Sequence, residues 1–198
     1  RLRPYGSAGA LALSFNALEQ YYQNQGRDWG RYAMTKARVV AGVPQAGAQL
    51  LEMLRTFVSR SYLAFSAIAA LRSMKLLIQQ EVRRKGMAEN IKLGSGGIRE
   101  VEFISQVFQL IHGGRDLSLQ QRSLLKVLHT LQEQGYLPAA AVEEMQQGYE
   151  FLRYTEHALQ AVDDRQTQML PDNELDQARV ASMLGFADWS EFHLQLMD

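Results

Sequence analysis

The chain has 198 residues, 46% hydrophobic and 21% charged, and its 21 basic side chains balance 21 acidic ones. That length suits one large or two small domains, and a net charge of zero gives no general pull toward nucleic acid or an acidic membrane. The lack of cysteine excludes disulfides, thiolate metal sites and thiol nucleophiles, and no run of 18 apolar residues is present to span a bilayer.

No initiator Met or signal-type segment opens the chain, so the expected compartment is the cytoplasm, and Arg1-Leu2-Arg3-Pro4 reads as a cut edge. Tyr5 to Gly9 has the glycines of a loop, and Leu11 to Leu13 fits a short strand. Asn16 and Glu19 have capping-box spacing for a helix through Tyr22 that stops at Gly26. Asp28 is placed to cap a second helix over 29–38. The Ala41-Gly42-Val43-Pro44 stretch is the best boundary, dividing an N-terminal piece (1–43) from a helical bundle (44–198).

Beyond Pro44 the apolar spacing predicts helices over 45–59, then over 63–82, closing on Arg83-Arg84-Lys85-Gly86 with the charge a helix C-terminus favours. A glycine cluster, Gly94-Ser95-Gly96-Gly97, precedes a helix to Ile111. Helices over 118–133, 138–162, 173–184 and from Trp189 complete a mainly α chain without internal repeats.

The four histidines are scattered and read as surface or satisfied core residues. No His-Glu-x-x-His, Walker loop or nucleophile elbow is present, and no metal ligands emerge. The segment from Lys92 to Phe103 is more informative. Its glycines let backbone approach a ligand, and amides at a helix start favour an anion. Arg99, Glu102, Gln106 and Gln109 line a polar stripe, which is either a structural hydrogen-bond network or the lip of a site. Glu156 falls in register with Val142, Met145, Tyr149, Leu152, Leu159 and Val162. An acid on such a face needs a partner, unless the helix turns to solvent there; Arg153 is placed on a different part of the surface. Arg31, Lys36 and Arg38 form either a phosphate-holding group or a solvated basic face.

Three groups of residues taken together resemble the glutamine synthetase adenylyltransferase family. The first is Arg1 to Gly9 with Gly26-Arg27-Asp28-Trp29, Arg31-Tyr32-Ala33-Met34 and Lys36-Ala37-Arg38. The second is Gly96-Gly97-Ile98-Arg99-Glu100-Val101-Glu102-Phe103. The third is Leu159-Gln160 with Gln166-Thr167-Gln168-Met169-Leu170-Pro171. The matches run in order along nearly the whole chain. The resemblance implies a helical bundle behind the C-terminal edge of a nucleotidyltransferase (polymerase-β-like) α/β domain. It implies one half of an enzyme that regulates nitrogen assimilation. The Arg99-Glu100 form looks like the half that removes AMP from a glutamine synthetase tyrosine by phosphorolysis, giving ADP, rather than the half that attaches AMP from ATP.

By that resemblance, Arg1 and Arg3 sit beside a two-magnesium site, and Arg99 and Glu102 join the catalytic group. Arg31, Lys36, Arg38, Gly96 and Gly97 face nucleotide or phosphate. The family's metal carboxylates fall upstream of Arg1, so this chain alone is expected to be inactive, and Asp163-Asp164 cannot replace them. Gly30 departs from the family, which usually has Glu there. Partners implied are glutamine synthetase and a PII-type signal protein. A non-catalytic helical module docking on either protein is the other reading, and a nucleic-acid binder is disfavoured by the charge balance.

Overall fold

The structure is a computed structural model that describes residues 3–58, 73, 76, 80, 82, 84 and 89–197. The chain is mainly α: among the described residues there are eight α-helices and no β-strand. They are α1 (Phe15–Gln25), α2 (Asp28–Met34), α3 (Pro44–Val58), α4 (Ile98–His112), α5 (Leu124–Glu133), α6 (Ala139–Asp163), α7 (Glu174–Met183) and α8 (Trp189–Met197). No described helix is long and apolar enough to cross a membrane.

Local chemistry sets most of these ends. Pro44 opens α3, where its fixed φ fits and its missing N–H costs nothing. The Asn173 side chain accepts the Asp176 amide at 2.9 Å and caps α7. Gly26 closes α1, but that helix begins earlier than the expected capping box at Asn16: the Ser14 hydroxyl accepts the Ala17 amide at 3.3 Å. Arg27, not Asp28, is the N-cap of α2, which ends at Met34. Leu11 and Ala12 form a bend instead of the expected strand, and Leu11 is 91% exposed. The expected helix over 118–133 is split, because Leu117–Leu119 makes a 3-10 turn and α5 starts only after Ser123. The expected helix over 63–82 lies largely outside the described residues, although Ser73, Leu76, Gln80 and Val82 are helical.

Packing divides the chain into two compact units: Arg1–Met74 with Ile104–Leu137, and Lys75–Phe103 with Pro138–Asp198. In the first unit, α1 and α2 both pack on α3, joining residues from either side of the 43/44 boundary. The core there is Tyr22, Leu54 and Phe57, supported by Leu18, Tyr21 and Leu50. The Tyr22 ring lies 4.8 Å from that of Phe57.

In the second unit, α6 supplies Leu152, Ala158 and Leu159, and α7 and α8 add Val180, Ala181 and Phe192. Ile91 and Ile98 complete this core from the glycine-led segment. Burying such side chains stabilises the unit by about 1.5–3 kcal/mol each relative to exposure. It also seats the loop ahead of α4 against α6.

Candidate functional site

The segment leading into α4 is held by backbone bonds at nearly every residue. The Asn90 Oδ1 accepts from the amides of Lys92 (3.1 Å) and Leu93 (2.9 Å), bending the chain as an Asx turn. The Gly94 amide donates to the Asn90 carbonyl at 2.7 Å. The amides of Ile98 and Arg99, the first two of α4, donate to the carbonyls of Ile91 and Lys92 at 3.0 Å each. Gly96 donates to the Glu100 carboxylate at 3.4 Å, and Gly97 to the Gly94 carbonyl at 3.1 Å. The first amides of this helix therefore have acceptors within the chain.

The two glycines have separate physical reasons. Gly96 has φ +72°, the left-handed region that Gly enters without penalty. Gly97 is buried, and a Cβ there would lie 2.7 Å from the Ile91 carbonyl oxygen.

The third sequence motif meets this segment directly. Asn90 and Met169 form an isolated antiparallel bridge: the Ile91 amide donates to the Gln168 carbonyl at 3.0 Å and the Leu170 amide to the Glu89 carbonyl at 3.4 Å. Residues Thr167, Met169, Leu170 and Pro171 also border a cavity of about 330 Å³.

An ionic cluster sits where the loop meets α6. Glu156 is 3% exposed, so its charge requires compensation. Its Oε1 pairs with the Lys92 Nζ at 3.3 Å and its Oε2 with the Arg153 Nη1 at 2.5 Å. Glu156 is thus a paired internal acid. The helical register puts Arg153 on a different part of the surface, yet residues three apart on a helix are neighbours and its long side chain closes the gap. Both cations keep about a third of their side chains exposed. Tyr149 belongs to the same cluster. Burial raises the pKa of its phenol, and the negative charges of Glu102 and Glu156 add to this while Arg153 opposes it.

The expected site residues divide between the units. In the second, Arg99 is exposed with no ion-pair partner among the described residues, and Glu102 is half-buried near Tyr149. In the first, the Arg3 guanidinium donates to the Gly9 carbonyl. The Arg31 guanidinium lies 5.1 Å from the Phe57 ring centroid, a cation–π distance. The Lys36 Nζ donates to the Arg122 carbonyl at 2.7 Å, and Arg38 is exposed. Arg1 lies outside the described residues.

The rest of the polar stripe is buried in the first unit. The Gln106 Nε2 donates to the Thr35 Oγ1 at 3.3 Å, and the Gln109 Nε2 to the carbonyls of Leu119 and Gln121 at 2.6 Å each. That half of the stripe is a structural network. Sequence reasoning missed Asn90 and Lys92 as organising residues. The signal for Lys92 was indirect, namely an acid at 156 that needed a cation.

Among the described residues no three His, Asp or Glu side chains come together to hold a metal. The side chains around the loop, Lys92, Arg99 and Arg153, offer positive charge and hydrogen-bond donors.

Known proteins match this sequence along nearly the whole chain. Residues 1–53 match the family model described as glutamate-ammonia ligase adenylyltransferase, and residues 72–197 match that described as GlnD PII-uridylyltransferase. The chain is 80% identical over 197 residues to a bifunctional glutamine synthetase adenylyltransferase/adenylyl-removing enzyme of Pseudomonas putida. The chain belongs to the glutamine synthetase adenylyltransferase family. Relatives of the same name in Pseudomonas syringae pv. tomato and Pseudomonas aeruginosa are 77% and 74% identical, covering 100% and 99% of the chain. The chain spans about a fifth of the length of each of these relatives. Both families named by the models are nucleotidyl-transferring by their descriptions, and the second covers the glycine-led segment, α6 and the third motif.

Proposed function

We propose that this chain is the closing edge and helical part of the adenylyl-removing half of a bifunctional glutamine synthetase adenylyltransferase. The match of the entire chain, at 74–80% identity, to enzymes named for both activities supports the family, and the Arg99-Glu100 form of the glycine-led segment is the observation that favours the removing half.

In the proposed reaction, an orthophosphate oxygen attacks the phosphorus of AMP carried on a glutamine synthetase tyrosine. A new P–O bond forms, the P–O bond to tyrosine breaks, and the tyrosyl oxygen takes up a proton. The products are ADP and unmodified glutamine synthetase. Arg99 supplies an exposed guanidinium able to bind a phosphate oxygen through two N–H donors. Glu102 shares the first two turns of α4 with it. In the first unit, taken by itself, Arg3, Arg31, Lys36 and Arg38 are the candidate phosphate-binding cations. Charge aimed at a phosphoryl group acts by stabilising the charge of the transition state.

The test uses the Pseudomonas putida enzyme with this chain in place of its matching fifth. Arg99→Ala is expected to lower phosphate-dependent ADP release from adenylylated glutamine synthetase by about ten- to a hundredfold, the worth of one charge-assisted contact. AMP attachment from ATP should be unchanged. A loss of attachment with normal removal would assign the chain to the other half. Loss of the thermal unfolding transition would make Arg99 structural.

The match of residues 72–197 to a PII-uridylyltransferase model favours a second reading, in which the helical part docks on a PII-type signal protein or on glutamine synthetase without catalysis. Binding of adenylylated glutamine synthetase by the isolated chain, together with unchanged ADP release by the full-length Arg99→Ala enzyme, would favour it over the catalytic reading.

A further inference from the structure

The apolar register of α6 gives every reason for a leucine at 156 and none for a carboxylate. Replacing a buried ion pair by well-packed apolar side chains is often neutral or stabilising, so stability alone does not account for this acid. What the carboxylate does is hold Lys92 from α6, while Arg153 fixes its second oxygen from the same helix. Lys92 is anchored at three points. Its amide donates to the Asn90 Oδ1 at 3.1 Å, its carbonyl accepts from the Arg99 amide at 3.0 Å, and its ammonium meets Glu156 at 3.3 Å. A contact made on α6 is thereby transmitted, through one residue, to the backbone of Arg99. The adjacent carbonyl of Ile91 holds the Ile98 amide, so the whole first turn of α4 is referred to this loop.

We propose that Glu156 is a positioning residue: through its ion pair with Lys92 it fixes the start of α4 and so the place from which Arg99 reaches phosphate. The inference rests on the phosphorolysis reading given above. Glu156 itself touches neither substrate nor the reacting atoms. Its effect on the reaction passes through Lys92, and a displacement of catalytic groups by about 1 Å can cost as much as a hundredfold in rate.

The experiment uses the same full-length enzyme carrying this chain. Glu156→Leu is expected to keep the thermal transition and to lower kcat for phosphate-dependent ADP release by about tenfold or more, with AMP attachment unchanged. Lys92→Met should give the same loss, and the double variant should lose no more than either, because both remove one linkage. Amide exchange at Arg99 should quicken in both single variants, a change that general packing of α6 would not confine to this turn. Should Glu156→Leu fail to fold, Glu156→Gln, which keeps the shape and loses the charge, carries the same comparison.

If Arg99→Ala lowers ADP release while the variants at 156 and 92 match the unsubstituted enzyme, the positioning role is overturned and the phosphorolysis reading stands. If Arg99→Ala is itself without effect, the underlying reading fails. Additive losses in the double variant would show that Glu156 and Lys92 act separately, which also overturns the proposal.

Discussion

Gly97→Ala tests the idea that the loop before α4 is tight because its main chain packs on itself. A Cβ at 97 would lie 2.7 Å from the Ile91 carbonyl oxygen, 3.0 Å from the Gly94 carbonyl oxygen and 3.0 Å from the Lys92 carbonyl carbon, where ordinary contact begins at 3.4 Å. These are main-chain atoms, so no flexible side chain can give way. Overpacking of this kind costs about 1–3 kcal/mol, and the displaced Ile91 and Lys92 carbonyls also hold the Ile98 and Arg99 amides. Adding about 1 kcal/mol for weakening those two bonds gives a total near 3 kcal/mol, a fall in Tm of about 6–12 °C for a chain of this length. Gly96→Asn is the control. Gly96 has φ +72° and no atom within 4 Å of a built Cβ, and Asn tolerates the left-handed region, so its cost should stay below about 1 kcal/mol. Thermal unfolding by circular dichroism and amide exchange at Ile98 and Arg99 provide the readouts. If Gly97→Ala melts within 2 °C of the unsubstituted chain, by about the limit of such scans, with Ile98 protected as before, the reasoning about this loop is refuted.

Three further outcomes are expected. Gln109→Leu leaves the Leu119 and Gln121 carbonyls without their 2.6 Å donors and should destabilise the first unit by about 2 kcal/mol in urea titration; an unchanged midpoint would show that the network contributes nothing. Tyr149 has a raised pKa, so the fold favours its protonated phenol. Its stabilising contribution is full below about pH 10 and lost as pH rises through the folded value, and Tyr149→Phe should remove that part of the alkaline loss of stability. Asp176 has a lowered pKa, chiefly through its hydrogen bond with Asn173, opposed by burial and aided by Arg179. Its contribution is present above the ordinary carboxylate range and lost as pH falls through the folded value, and Asn173→Ala should move its NMR titration upward while fraying the first turn of α7.

Features that depend on near neighbours in sequence were legible. Pro44, Gly26 and Asn173 mark helix ends through their own backbone chemistry, and the core face of α6 follows from apolar spacing that places Val142, Leu152 and Leu159 inside. The same spacing exposed Glu156 as an acid that needed a partner. Which partner answers it was not legible, because Lys92 is brought there by a turn at Asn90 and by a bridge to Met169, 79 residues away. Two competing caps explain the shifted start of α1: Asn16 has the right box spacing, but Ser14 reaches the Ala17 amide. The glycine cluster suggested amides open to a ligand, whereas the loop folds back on itself, so that the carbonyls of Asn90, Ile91, Lys92 and Gly94 and the Glu100 carboxylate accept from amides of the cluster and of the helix start. The break before α5 depends on Gln109, whose amide binds the Leu119 and Gln121 carbonyls and stabilises a turn that periodicity alone reads as helix.

The central claim is that this chain serves removal of AMP by phosphorolysis, and the most direct measurement follows the phosphorus. The full-length enzyme carrying this chain is incubated with adenylylated glutamine synthetase and ³²P-orthophosphate. The account predicts ADP labelled in its β-phosphoryl group, in an amount equal to the AMP lost from glutamine synthetase and greatly reduced by Arg99→Ala. Release of unlabelled AMP, or labelled ADP formed equally well by Arg99→Ala, would contradict it.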